Sequence, residues 1–245
     1  MKRSSWLKKF FLGNAVALGL IFSQQALGTE IKEAKNVDIN SLMDEISVSS
    51  SQAKIDEIAM AVWIPQEFWE VTLSKDDTNT IPSATKIELL SILKSYFLVG
   101  VVQGEVNNSE GFKFYSLDEI EQNLTFYYED EAKNRIALPP ANTVSPEVES
   151  LLTIMKPLFE QLLGNAGKNL HFIVFADRTD RGDRIVSPYE TGAIEIQLTD
   201  SNKTVEHELE IVLPLNSLHV PRICPNDKEA HISWKYCPWD GTKLP

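Results

Sequence analysis

Apolar and polar residues alternate most regularly over residues 205–213. There His207, Leu209, Ile211 and Leu213 interleave with Glu206, Glu208, Glu210 and Val212. A period of two sends successive side chains to opposite faces of a strand, so this spacing predicts a half-buried strand with its glutamates in water. Shorter strand-like runs lie at 171–175 and 194–198. Residues 58–64 form an unbroken apolar run ended by Pro65; its length and flanks suit a buried strand, although periodicity alone also admits a helix. Residues 98–106 read as a strand interrupted at Gly100 and Gly104. Residues 124–130 and 135–138 read as a hairpin around 131–134, closed by Pro139 and Pro140.

Helical spacing marks other stretches. Residues 66–73, with Phe68 and Trp69, suit a short helix on the sheet. Ser83 opens a longer one, in which Ile87, Leu90, Leu93 and Phe97 form an apolar face widened by Leu89, Ile92 and Tyr96. Over 145–163, Ser145 is placed to cap and Pro146 to occupy the first helical position, where no amide is needed. Leu151, Met155, Leu158 and Leu162 share a face, Pro157 should bend the helix, and Gly164 is a natural stop. Residues 29–54 are polar and mixed in charge, and read as a linker with one helical patch over 39–46. Helices and strands interleave early and strands dominate late. The expected fold is α+β, a mostly antiparallel sheet with packed helices and a small ribbon-like hairpin tail. The expected divisions are 1–28, 29–54, a globular domain over 55–220, and a tail over 221–245.

Residues 1–28 carry the pattern of an export signal. Lys2, Arg3, Lys8 and Lys9 precede an apolar stretch over 10–22, and Ala26 and Gly28 supply small residues before a cut. That stretch is shorter than the ~20 residues a membrane span needs. The expected product is cut near Gly28, lacks a transmembrane span, and is periplasmic or secreted. The chain carries 23 Lys and Arg against 35 Asp and Glu, a formal charge of −12. Removing residues 1–28 takes away four basic residues and no acidic one, leaving −16. Such a surface repels phosphate backbones, which argues against nucleic acid as a partner.

The tail holds the most specific motif. Cys224-Pro225-Asn226-Asp227 and Cys237-Pro238-Trp239-Asp240 are matched turns, and Gly241-Thr242-Lys243-Leu244 follows the second. This segment resembles a zinc ribbon, a family whose two Cys-Pro-x-Cys-Gly knuckles hold one zinc through four thiolates. Cys224 and Cys237 match the first thiolate of each knuckle, while Asp227 and Asp240 stand at the second. Gly241 keeps the turn glycine, and Lys228 replaces its counterpart. Two states are open. In one, Cys224 and Cys237 form a disulfide and no cofactor is bound, as an oxidising compartment and a lone cysteine pair favour. In the other, Cys224, Asp227, Cys237 and Asp240 bind zinc, with His231 as a further donor, although closed structural sites prefer Cys and His. Trp234, Tyr236 and Trp239 are expected to pack the tail against the domain, with an exposed ligand-binding aromatic patch as the alternative.

No other segment assembles a reaction centre. Asp177 to Arg184 reads as a polar turn stabilised by local Asp–Arg pairs, since its three arginines oppose a bound cation. The histidines, His171, His207, His219 and His231, are dispersed, and His207 reads as a hydrogen-bonded core residue. The serine-elbow, phosphate-loop and dinucleotide motifs are missing from the sequence. The expectation is an exported acidic globular protein with a non-enzymatic binding or structural role in the cell envelope, its partner an envelope or extracellular ligand or protein. The alternative is a hydrolase that uses paired carboxylates or a bound metal. A deep pocket with converging acidic groups would favour the hydrolase, and a shallow surface with exposed aromatic rings the binder.

Overall fold

The computed structural model describes residues 30–54, 56–76, 81–107, 111–163, 165–199 and 204–244. The export signal lies outside the described residues, as do Gly164 and the side chains of Met155, Leu158 and Leu162.

The segment expected as a linker is instead part of the domain. Asp38 caps α1 (Ile39–Ile46), its carboxylate accepting the Ser41 amide at 2.8 Å. Leu42 and Ile46, one turn apart, are buried in the core. Glu45 accepts the amide and hydroxyl of Ser217 at 3.0 and 2.7 Å. The chain then enters β1 (Ser47–Ser49), which pairs antiparallel with β2 (Glu57–Ile64). A polar average conceals one apolar helix face whose partners are far away in sequence.

Pro65 ends β2, and α2 (Gln66–Ser74) buries Phe68, Trp69 and Val71, as expected. The helix α3 (Ser83–Leu93) departs from expectation. Ile87 is 70% exposed, and Tyr96 and Phe97 belong to β3 (Tyr96–Asn107). Residues 98–101 find pairing partners on both edges, and Tyr96 and Phe97 pair with Ala176 and Phe175, so tertiary pairing overrides the helical spacing that links Phe97 to Leu93. The strand also runs unbroken through Gly100 and Gly104. At Gly104 a side chain would strike Phe112 and the Lys113 carbonyl of β4 (Gly111–Phe114), so the glycine permits a close approach within the strand.

Ser116 and Glu119 form a capping box on α4 (Leu117–Asn123). The expected hairpin is present as β5 (Leu124–Glu129) and β6 (Arg135–Leu138). In α5 (Pro146–Leu163) the Ser145 carbonyl accepts the amides of Val148 and Glu149, and among the described side chains of the helix Val148 and Phe159 are buried. A short α6 (Asn165–Lys168) leads into β7 (His171–Ala176). The strands β8 (Gly192–Thr199) and β9 (Val205–Leu213) follow. In β9, residues 207, 209, 211 and 213 are buried and 206, 208, 210 and 212 exposed, as the alternation requires.

The result is an α+β fold with mostly antiparallel sheets. One sheet runs β1-β2-β3, with β4 and β7 sharing the far edge of β3; the other runs β6-β5-β8-β9. Two seams join them. Beyond β6, the Ala141 amide donates to the Val174 carbonyl of β7 at 2.8 Å. On the other side, His207 of β9 contacts the Ser50 hydroxyl beside β1 at 3.2 Å. Between the sheets Phe97 meets Phe126 and Phe175 at 5.1 and 5.2 Å between ring centres, with Trp63 at 6.5 Å.

Candidate functional site

The tail carries its own small core of Cys224, Ala230, Cys237 and Leu244. Its strands β10 (Arg222–Ile223) and β11 (Glu229–Ala230) pair antiparallel. Each Cys-Pro turn closes on its backbone. The Cys224 carbonyl accepts the Asp227 amide at 2.9 Å, and its amide donates to the Lys228 carbonyl at 2.8 Å. The Cys237 carbonyl accepts the Gly241 amide at 2.9 Å, and its amide donates to the Thr242 carbonyl at 2.8 Å. The left-handed position is Gly241 (φ 75°) in the second turn and Asp227 (φ 62°) in the first. Aspartate tolerates that conformation better than most side chains, which explains how Lys228 can stand where the ribbon pattern has glycine. The Arg222 guanidinium donates to the carbonyls of His231, Ile232 and Trp234, and the Ile232 amide reaches Asn216 of the main domain at 2.9 Å.

The two sulfurs are buried 2.7 Å apart and are not joined as a disulfide. The adjacency that a cross-link requires is present, and the bond expected from sequence is not. Burial, then the neighbouring Cys237 thiol, pushes the Cys224 thiol up to about 11. Among the described residues, no three His, Cys, Asp or Glu side chains gather as a set able to hold a metal. Asp240 accepts the Thr242 amide at 2.9 Å and His231 Nδ1 meets Ser233 Oγ at 2.7 Å, so two of the proposed donors have local partners.

Outside this core the tail departs from the expected packing role. Trp234, Tyr236 and Trp239 are 40%, 58% and 48% exposed. Trp234 and Trp239 meet edge to face at 6.2 Å, His231 lies 6.0 Å from Trp234, and the Lys228 ammonium sits 4.9 Å from the Trp239 ring centre. The two knuckles spend their buried positions on cysteines and small or aliphatic residues, which leaves the large rings outside. Charge is also segregated. Residues 221–245 carry four Lys and Arg against three Asp and Glu, whereas 29–220 carry fifteen against thirty-two.

Three other arrangements were candidates for chemistry. An open groove of about 850 Å³ runs over the wet face of β5, β8 and β9, with Glu129, Glu195, Glu208 and Glu210 in its lining. The protein's own groups already meet much of that charge. Arg135 stacks 3.7 Å from the Tyr127 ring centre and bonds Glu195 at 2.5 Å, Lys133 bonds Glu129 at 2.6 Å, and Gln197 bridges Glu195 and Glu208. His207 is buried between Ser50 and Glu57, but its Nε2 is 3.9 Å from Glu57 and the Ser50 hydroxyl also accepts the Gln52 amide. That cluster fastens the seam between the sheets, in keeping with the core histidine expected at this position.

The third arrangement was only half legible. Arg184 pairs with Asp177 at 3.0 Å, the local pair expected of the 177–184 turn. It also grips Glu67 of α2 through two bonds of 2.5 and 2.9 Å, and both carboxylates are buried. Glu67 lies 117 residues from Arg184, and nothing in the spacing of either residue announces the other. His219 is buried edge-on against Tyr189, while His171 is partly buried at the start of β7. Among the described residues no helix is long and apolar enough to cross a membrane. No family model, curated protein or solved structure matches the chain in comparisons with known proteins.

Proposed function

We propose that this chain is an exported, non-enzymatic binding protein of the cell envelope, and that its tail presents the contact surface. The exposed rings of Trp234, Tyr236 and Trp239 carry this reading. Single exposed apolar residues are ordinary, but clustered large rings on a small ribbon mark interaction surfaces. The main domain buries Trp63 and Trp69, so the fold has room for such rings and leaves these three outside.

A ribbon with four core residues needs a further constraint to hold its rings in place. In an oxidising compartment Cys224 and Cys237 supply it by exchange with a donor disulfide. Each tail thiol gives up a proton and an electron, the tail disulfide forms, and the donor is released as two thiols. Closing this loop contributes about 3 kcal/mol on the chain-entropy account. Mass spectrometry of exported protein alkylated without reductant will find neither cysteine modified. Two alkylated cysteines would remove the cross-link, and one tightly held zinc per chain with both thiols free would replace it with the zinc form.

The binding role itself is tested by hydrogen exchange on the protein mixed with a solubilised envelope fraction. Slowed exchange across 231–239, lost in a Trp234→Ala/Trp239→Ala double variant, is the expected result. Unchanged exchange there, or equal slowing in the variant, overturns the reading. Both side chains are exposed, so the variant should keep its fold.

A further inference from the structure

We infer that His219 is an acid-sensitive latch: once its buried imidazole is protonated, the amino-terminal segment and the tail let go of the main domain together. The latch belongs to the fold and stands whatever the tail rings bind.

Residues 216–220 are where separate parts of the chain meet. The Lys32 amide donates to the Leu218 carbonyl at 2.9 Å, the Val220 amide donates to the Glu30 carbonyl at 2.8 Å, and Ile31 bridges His219. Glu45 of α1 accepts the amide and hydroxyl of Ser217, and the Lys32 ammonium donates to the Ser217 carbonyl at 3.1 Å. From the tail, the Ile232 amide reaches Asn216 at 2.9 Å. His219 lies within this junction and is 3% exposed. Among the described residues neither of its ring nitrogens has a hydrogen-bond partner, and the ring stands edge-on to Tyr189 at 5.8 Å between centres. Buried polar atoms are nearly always paired in folded proteins, so this imidazole is held at a cost even when neutral.

Protonation makes the position worse. An imidazolium adds a second N–H donor and a charge, and a buried charge without a counter-charge is costly. Most of the charges around the ring have the wrong sign. Lys32 acts on it from the amino-terminal segment, Arg222 from β10 and His231 from the residue after β11, against one carboxylate, Glu45 of α1. That carboxylate is already engaged by Ser217, and burial keeps the Tyr189 phenol neutral. Burial holds the His219 pKa below its ordinary 6.5; Glu45 pulls it up, while Lys32, Arg222 and His231 push it further down. The unfolded or opened chain therefore binds a proton here before the closed form does. The contribution of this group is full above pH 6.5 and is lost as pH falls toward the folded value. The ring reaches water by breaking the few bonds at Lys32, Val220 and Ile232, whereas the ladder between β8 and β9 can stay paired.

Amide exchange of the purified protein, followed by NMR at pH 7.5 and 5.5 and corrected for the intrinsic rate, reads the opening directly. In the open form His219 titrates near its ordinary value, so a ring that stays neutral when closed raises the opening constant by up to about tenfold over this interval. The expected result is a rise of about three- to tenfold at the Lys32, Val220 and Ile232 amides, with none at the paired amides of β8 and β9. His219→Phe keeps a ring against Tyr189 and cannot titrate, so it should abolish the rise, while His231→Asn should keep it. A rise below about twofold, or an equal rise in β8 and β9, overturns the inference. So does a rise that survives His219→Phe or is lost in His231→Asn. The wild-type ring supplies a reading that needs no variant: a His219 Cε1–H signal titrating at or above pH 6.5 overturns the latch as well.

Discussion

Replacing Arg184 by methionine will lower stability by about 3–5 kcal/mol near pH 8, and the loss will shrink on acidification. The guanidinium holds both oxygens of Glu67 and lies 3.0 Å from Asp177, and each carboxylate is buried. Without it, two carboxylates remain in the interior with no cation, and that uncompensated charge is the costly term. The share is unequal in the native protein. Glu67 has the bidentate grip, whereas neither oxygen of Asp177 makes a well-aligned hydrogen bond despite its proximity to Arg184. Burial therefore pushes Asp177 up to about 6 from its ordinary 3.8, although Arg184 pulls the other way.

The sign of the pH dependence follows. Between about pH 4 and 6 the folded protein binds a proton at Asp177 that the unfolded chain does not. The contribution of this group to stability is full below the unfolded value and is lost as pH rises through the folded one. Asp177→Asn, which keeps the shape and cannot ionise, should raise stability at pH 8 by something on the order of 1–3 kcal/mol. It should flatten the decline between pH 4 and 6. Urea denaturation of wild type and both variants at pH 5 and pH 8 measures all of this. An Arg184→Met loss equal at the two pH values would show that the carboxylates are not the groups responsible.

Phe97→Ala is expected to cost about 3–5 kcal/mol, while Ile87→Ala stays within about 0.5 kcal/mol of wild type. Both residues lie on one face if the helical spacing of 83–97 is continued, so that reading predicts comparable losses. In the fold Phe97 is a strand residue between the two sheets, against Trp63, Phe126 and Phe175, and truncating it opens a cavity in the shared core. Ile87 points largely into solvent on α3. Thermal or urea denaturation of the two variants separates these cases directly.

The contrast between these residues shows where legibility in the sequence stops. β9, the β5–β6 hairpin and α2 are recoverable because each is specified by neighbours in the chain: an alternation, a turn, or a proline at a strand end. The tail turns are recoverable for the same reason, down to the positive φ of Gly241. The helical patch over 39–46 is α1 as expected, but its place in the core escaped because its stabilising contacts come from elsewhere. Leu42 and Ile46 enter a core built by later strands, and Glu45 finds Ser217 172 residues away.

The candidate site divides in the same way. Its residues were all visible as a motif, but not their exposure. Two cysteines and three large rings in one short segment admit two arrangements, rings against the domain or rings in water. Local spacing is common to both. Sequence by itself determined the alternation of β9, the matched Cys-Pro turns and the strong acidity, because each depends on covalent neighbours or on composition. Only the tertiary structure decided that Phe97 is a core strand residue, that Arg184 serves Glu67 as well as Asp177, and that Trp234, Tyr236 and Trp239 face outward. Those outcomes depend on which distant surfaces meet, and burial energy is set by that meeting rather than by local order along the chain.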